Sequence, residues 1–414
     1  MCYSDIRQLY NGTRAQLVFS HHAVGAAHGL FLALALINTK GASKAGHLYL
    51  AMLTLAFAID LGHEFLYQSH YLLNVLELAF IDPVINLLYG PAFYLYTRVL
   101  TDQSAFQFSA KQWFHFSPVA AGVVICLLVP DLSSEQFTRM YYGDGIVATG
   151  DEGVVRSAIG SIAMASGISI GIYLALSICR LIRHARAIRQ QFSTIERITL
   201  NWLRNLLIAL SVLYLILILD GFLAQLFGFG ERVNHLLYLM IVAVIYTMGY
   251  LGLRQPAIFT NQTIPGGEPA IESTQLFETN EPSSTETKPR VKYQTSALDA
   301  EMSAALHEEL LQHMAVEKSF LNNKLPLSQL AEQLGISANY LSQVINEQFE
   351  KNFFDFINGL RVEEAKRLLS DPKRADISVL TIALDSGFNS KSAFYTAFNK
   401  HVGVTPSQFR KSVH

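Results

Sequence analysis

The chain has 414 residues, enough for more than one domain, and it is 51% hydrophobic with only 15% charged residues. That balance excludes an ordinary soluble globule, and a formal net charge of −2 singles out no class of partner. Cys2, Cys126 and Cys179 lie far apart, which excludes a zinc spacing or a disulfide framework, and no cofactor is implied.

A secretory leader is not expected. The first apolar run starts near Leu17, has no clear small-residue cleavage site, and is followed by others of the same kind. Crossing a hydrocarbon layer takes about 20 apolar residues in a helix. Seven stretches meet that length: 17–38, 47–67, 71–98, 112–130, 156–180, 203–228 and 233–253. Pro83, Gly90 and Pro91 predict a kink or break in the third. The loops then set the orientation. The stretch joining the fifth and sixth spans carries Arg183, Arg186, Arg189 and Arg197, whereas 131–155 holds five acids and one arginine. Excess Lys and Arg mark the cytoplasmic side, so the N-terminus is expected outside and the C-terminus inside.

Polar residues interrupt these runs at particular depths. "LAFAIDLGHEFLY" places Asp60 and Glu64 four apart on one helical face with His63 beside them, in the outer half of the second span. Glu77 and Asp220 also fall in outer halves, whereas Asp82 and His28 are nearer the midplane. An ionised side chain facing lipid costs at least about 2.5–3.5 kcal/mol, so these groups should face one another or a wet cavity. The expectation is an outward-opening polar pocket made from Asp60, His63, Glu64, Glu77, Asp82, Asp220 and His28. It would take a small molecule, a proton through the histidines, or a metal ion, whose identity stays unknown. The competing reading is that these residues pair to lock the bundle. His21, His22 and His235, at the outer span ends, are the weakest members of the set.

Beyond Gln255 the composition changes. The stretch 256–296 holds five of the twelve prolines, shows no apolar period, and reads as a flexible tether. Ser296 and Asp299 suggest a helix start, after which Leu298, Met302, Leu306, Leu310 and Met314 form one apolar stripe. In "LSQLAEQLGISANYLSQVIN" a helix stops at Gly335 and a second starts from Ser337, with Tyr340, Leu341, Val344 and Ile345 expected inside. Helix, glycine turn and helix recur in "ISVLTIALDSGFNSKSAFYTAFNKH", with Gly387 at the turn, Ser390 as cap, and Phe394 and Phe398 inward. Between them "FFDFINGLRVEEAKRLLSD" reads as one amphipathic connector. Two such units on one connector suit successive major-groove entries about 34 Å apart.

Residues 300–412 resemble the AraC/XylS-type transcription regulator domain, through "LAEQLGISANYLSQVINE", "INGLRVEEAKRLL", "IALDSGFNSKSAFYTAFNKHVGVTP" and the closing "SQFRK". A membrane-anchored subset of that family has the same layout. The resemblance implies a first reading helix exposing Ala338, Asn339, Ser342, Gln343 and Asn346. It implies a second at Asn389, Ser390, Lys391, Ser392, Tyr395, Thr396, Asn399 and Lys400. Asn and Gln can read adenine bidentately, and Ser and Thr are permissive. Thr396 and Asn399 stand where the family often carries Arg and Lys, and Glu350 replaces a usual glycine. Residues 297–414 carry 12 Lys and Arg against 14 Asp and Glu, so only weak nonspecific DNA binding is expected of the tail alone.

The expected architecture is all-α: a seven-transmembrane helix bundle (1–255), a flexible linker (256–296), and a double helix-turn-helix domain (297–414). The expected function is that of a bacterial one-component transcription regulator in the cytoplasmic membrane, not an enzyme. It would sense a signal through the bundle and bind double-stranded promoter DNA, with a homodimer as one arrangement and proximity or dimerisation as the means of control. The alternative weighed is a membrane-embedded metal-dependent hydrolase with a fused DNA-binding tail.

Overall fold

The structure, a computed structural model, describes residues 22–39, 44–102, 110–142, 149–195, 199–227 and 300–414, with isolated positions between 240 and 250. The linker 256–296, His21, His235, the side chain of Asp220 and most of the seventh apolar stretch lie outside the described residues. All regular elements among the described residues are helical, and one isolated antiparallel bridge is present. The chain divides into two compact units. One is 1–184 with 200–260, and the other is 185–199 with 261–414.

In the first unit α1 (His22–Asn38) precedes α2 (Lys44–Gln68) and two single-turn 3₁₀ helices, Tyr71–Asn74 and Leu76–Phe80. Then come α3 (Ile81–Thr101), α4 (Ser117–Leu128) after a 3₁₀ turn, α5 (Ser134–Tyr142), α6 (Asp151–Gln191) and α7 (Asn201–Phe227). Four segments are long and apolar enough to cross a membrane: 45–68, 76–101, 111–128 and 151–191. Two shorter apolar helices, His22–Asn38 and Asn201–Ile216, accompany them. The third predicted span is therefore broken, but ahead of Ile81, in the 3₁₀ turns; Pro91 sits within a continuous helix.

Leu36, Leu50, Leu53, Leu61, Leu95, Leu203 and Leu207 are fully buried and form one core across α1, α2, α3 and α7. The opposite faces are apolar too: Phe31, Leu127, Met164 and Leu215 are 69%, 79%, 69% and 63% exposed. A helix apolar on both its packed and its exposed face suits a hydrocarbon surround better than water.

The second unit is built from α8 (Ala300–Glu317), α9 (Leu327–Gln333), α10 (Ala338–Phe349), α11 (Phe353–Leu369), α12 (Val379–Asp385), α13 (Lys391–Val402) and α14 (Pro406–Val413). It has two cores that share α11. The first half of α11 gives Phe353, Phe356 and Ile357 to a core with Leu310, Met314, Leu330, Leu341 and Ile345. The second half gives Val362, Ala365, Leu368 and Leu369 to a core with Ile382, Phe388, Phe394 and Phe398. One rigid helix thereby holds both helical pairs. Of the predicted stripe, Leu306, Leu310 and Met314 are buried in this unit.

Local chemistry fixes the turns. Gly335 (φ +65°) and Gly387 (φ +87°) take the left-handed conformation that ends α9 and α12. Ser337 Oγ accepts from the Tyr340 N–H at 3.2 Å and Ser390 Oγ from the Ala393 N–H at 3.1 Å, capping α10 and α13. The end of α10 is less comfortable, because Glu350 adopts φ +53° without being glycine. Left-handed backbone costs an ordinary residue about 1–2 kcal/mol, partly offset by the entropy glycine loses on folding. Glu350→Gly should therefore stabilise the detergent-solubilised chain by about 0.5–1 kcal/mol in thermal unfolding. A loss of stability would show that the Glu350 side chain contributes more than its strain costs.

Candidate functional site

The two reading helices are presented as the caps and cores dictate. On α10, Leu341 and Ile345 point into the first core and Val344 is buried beside them in the chain, while Asn339, Gln343 and Asn346 are exposed and Ala338 and Ser342 half-buried. Tyr340, expected inside, is half-buried. Gln343 Nε2 donates to Glu347 Oε1 at 2.9 Å, which pre-sets its side chain along the helix. On α13, Phe394 and Phe398 are buried while Lys391, Ser392, Thr396, Asn399 and Lys400 are exposed. Asn389 and Ser390 are half-buried at its start, and the Ser390 hydroxyl is committed to the cap. Tyr395 is held on edge, its hydroxyl 3.1 Å from Ser407 Oγ and Lys391 Nζ 5.4 Å from its ring centre. Lys400 Nζ is engaged 2.7 Å from Asp355 Oδ1 on the connector, so its charge is partly neutralised internally.

Two titratable groups beside this surface are tuned. Hydrogen bonds from Arg367 at 2.7 and 3.0 Å, with Lys318 nearby, hold the Glu364 carboxyl below the usual carboxylate range. Burial, with Lys351 and Lys400 adjacent, keeps the His401 imidazole below its ordinary value, so His401 stays neutral at physiological pH and adds no positive charge.

A residue that the sequence analysis assigned no role dominates the interior. Arg361, on α11, is 1% exposed. Its Nε donates to Phe320 O at 2.8 Å, one terminal nitrogen to Ser193 O (3.0 Å) and Asn358 Oδ1 (3.3 Å), and the other to Asn322 O (2.9 Å) and Ser193 Oγ (3.2 Å). A guanidinium has five N–H donors in a planar fork, and here five acceptors meet them. The Phe388 ring lies 5.9 Å from its central carbon. The sequence signal available was one arginine placed among the apolar positions of an amphipathic helix.

Of the polar residues in the first unit, the structure gathers some and scatters others. Asp60 is 9% exposed and accepts from the Tyr89 hydroxyl at 3.2 Å, with Asp82 and Glu64 as its acidic neighbours. Glu64 accepts from Gln68 at 2.7 Å, and Asp82 Oδ1 stands 3.4 Å from the Asn86 amide. His63 is half-buried, and its Nε2 is buried with no hydrogen-bond partner. Glu77 is exposed on its 3₁₀ turn, and His28 is stacked on Tyr246 with ring centres 4.2 Å apart. The gathered set is thus Asp60, Glu64 and Asp82, with Tyr89 added. Among the described residues no group of three or more His, Cys, Asp or Glu is placed to hold a metal ion.

Comparison with known proteins bears on the second unit. A family model described as a helix-turn-helix domain matches residues 330–412. The melibiose operon regulatory protein of Escherichia coli (strain K12) is 37% identical over 87 residues, 21% of this chain and 28% of that protein. The Msm operon regulatory protein of Streptococcus mutans is 29% identical over 91 residues, 22% of this chain and 32% of that protein. The chain thus spans about a third or less of these curated relatives' length. A solved protein of unknown function from Listeria innocua is 29% identical, covering 26% of this chain and 98% of its own, with a TM-score of 0.24. The paired glycine turns, the shared connector and the match over residues 330–412 together make the C-terminal region a helix-turn-helix domain.

Proposed function

We propose that the chain is a membrane-bound one-component transcription regulator that binds double-stranded promoter DNA through α10 and α13 and takes its signal through the apolar unit. The observation that carries the reading is the joining, in one chain, of a double helix-turn-helix domain to helices long and apolar enough to cross a membrane. The arginine-rich stretch before Ser193 supports a reading in which the DNA-binding end lies on the cytoplasmic side of a bacterial inner membrane. The sequence division at 1–255, 256–296 and 297–414 serves as the working map of sensor, linker and output.

The acidic set Asp60, Glu64 and Asp82 with Tyr89 is the proposed signal-responsive element, because ionisable groups at such depth are costly to keep without a use. Asn339, Gln343, Asn346, Ser392, Thr396 and Asn399 are the proposed base-facing residues, the exposed positions of the two reading helices. A second copy of the chain at paired half-sites would raise the modest affinity expected from a weakly basic tail. No observation favours the hydrolase alternative.

Chromatin immunoprecipitation of the full-length chain tests both halves. Discrete promoter peaks are expected, and Asn339→Ala/Gln343→Ala should reduce them by about tenfold or more, the loss of one or two base contacts. At matched protein levels Asp60→Asn/Glu64→Gln should change occupancy without abolishing it. Absence of wild-type peaks sinks the regulator reading. Identical peaks in the carboxylate variant remove the signal role and leave those side chains as packing.

A further inference from the structure

The compact unit that holds the helix-turn-helix domain also includes residues 185–199, which lie more than a hundred residues earlier in the chain. They comprise the arginine-bearing last turns of α6 and the stretch between α6 and α7. Residues 192–194 are matched to the segment entering α9. Phe192 and Pro326 form an antiparallel bridge. The Ser193 N–H donates to Leu325 O at 3.4 Å, the Ser193 hydroxyl donates to the same carbonyl at 2.6 Å, and the Thr194 hydroxyl donates to Asn323 O at 2.5 Å. The register is chemically sensible. A bond from Ser193 to Leu325 makes Phe192 and Pro326 a non-hydrogen-bonded pair, the position at which proline's missing N–H is harmless.

The same serine completes Arg361. Its carbonyl and its hydroxyl oxygen supply two of the five acceptors around the guanidinium, while the hydroxyl proton goes to Leu325 O, so no donor is used twice. Ser193 is 1% exposed. Taken away, it would leave two donors of a buried cation to find other partners, at a site whose remaining acceptors are already engaged. Arg361 lies where α11 passes from one helix-turn-helix core to the other.

We propose that residues 192–195 are a docking strand by which the α6–α7 connection grips the helix-turn-helix domain, with Arg361 as the latch. The domain is then attached to the apolar part of the chain at two points, 192–195 and 256–296. The proposal goes beyond the regulator reading and does not depend on it, since the docking requires neither DNA nor a signal.

The test uses the full-length chain in native membranes, with Cys2, Cys126 and Cys179 changed to Ser and a specific protease site inserted within 256–296. Non-hydrogen-bonded antiparallel pairs stand about 4.5 Å apart at Cα, inside the span of roughly 4.4–6.8 Å that a disulfide bridges. Phe192→Cys/Pro326→Cys, mildly oxidised and then cleaved, should keep the two fragments as one band on a non-reducing gel and release them on reduction. A control pair, Phe192→Cys/Ser378→Cys, should leave them separate. Because loss of Pro326 could disturb α9, Thr194→Cys/Lys324→Cys probes the same register two residues along and should link as well. Separate fragments from both register pairs, or equal linking by the control pair, would overturn the proposal.

Discussion

Replacing Arg361 with alanine should destabilise the helix-turn-helix domain by about 4 kcal/mol, within the range expected when one partner of a buried charged network is removed. The estimate follows from what is left behind. Phe320 O, Asn322 O and Ser193 O each receive an N–H of this side chain, and Asn358 Oδ1 a further one. Each bond from a charged donor is worth about 1.5–3 kcal/mol, and the sum is not additive because the acceptors relax together. A domain of this size holds about 5–15 kcal/mol in total, so the variant would be marginal. Arg361→Met restores much of the packed volume but none of the donors, and should recover less than half of the loss. Arg361→Lys keeps the charge yet replaces a five-donor fork with a three-donor point, and should fall between wild type and alanine. Protease resistance of the 300–414 region against urea, in the solubilised full-length chain, reads the order. A cost under about 1 kcal/mol for alanine would mean that water can enter and replace the guanidinium.

Sequence and structure agree where the signal is local. Gly335, Gly387, Ser337 and Ser390 each act within a few residues of where they stand, through left-handed backbone or a hydroxyl reaching an N–H three residues on. The inward positions of α10 and α13 follow from periodicity, and Leu341, Val344, Ile345, Phe394 and Phe398 are buried as expected. Arg361 was illegible because, apart from Asn358 one turn back, its partners are distant: two of its acceptors belong to Ser193, 168 positions away. The docking strand was hidden for the same reason, since "FST" has no period or cap of its own and takes its bonds from Leu325 and Asn323.

The apolar unit shows the converse limit. Hydropathy located its long helices but not where the backbone departs from them. The run 71–98 reads as one span, yet Tyr71–Phe80 forms two 3₁₀ turns before α3 begins at Ile81. Pro83, in the first turn of α3, costs no intrahelical bond, and Pro91 is buried within the helix among Tyr89, Ala92 and Phe93. The polar residues show a similar limit. Asp60, Glu64 and Asp82 gather as facing-helix geometry allows, while His28 is stacked on Tyr246. Depth along a span can be counted in sequence; which way a side chain turns around it depends on neighbours the count does not contain.

The two glycine turns occupy the same place in their helical pairs, but they should respond to alanine very differently. A Cβ on Gly335 would meet nothing within 4 Å, so Gly335→Ala should cost about 1–2 kcal/mol, the strain of a side chain at positive φ. A Cβ on Gly387 would lie 2.7 Å from Phe320 O, 2.9 Å from Leu321 Cα and 3.0 Å from Leu321 O, all of them backbone that cannot swing aside. Adding an overpacking penalty of about 1–3 kcal/mol brings Gly387→Ala to roughly 2–5 kcal/mol. The nearest of those atoms is the carbonyl that accepts from Arg361 Nε at 2.8 Å. The methyl would therefore push on the same carbonyl that holds the latch, and part of its cost is damage to that bond. Gly387→Ala combined with Arg361→Ala should then lose about 1 kcal/mol less than the two single losses added, because the second change removes a bond the first has already strained. Gly335→Ala combined with Arg361→Ala should be additive. Urea unfolding of the three single variants and their two doubles separates the cases. Strict additivity at Gly387 would mean that the Phe320 turn shifts without letting go of Arg361.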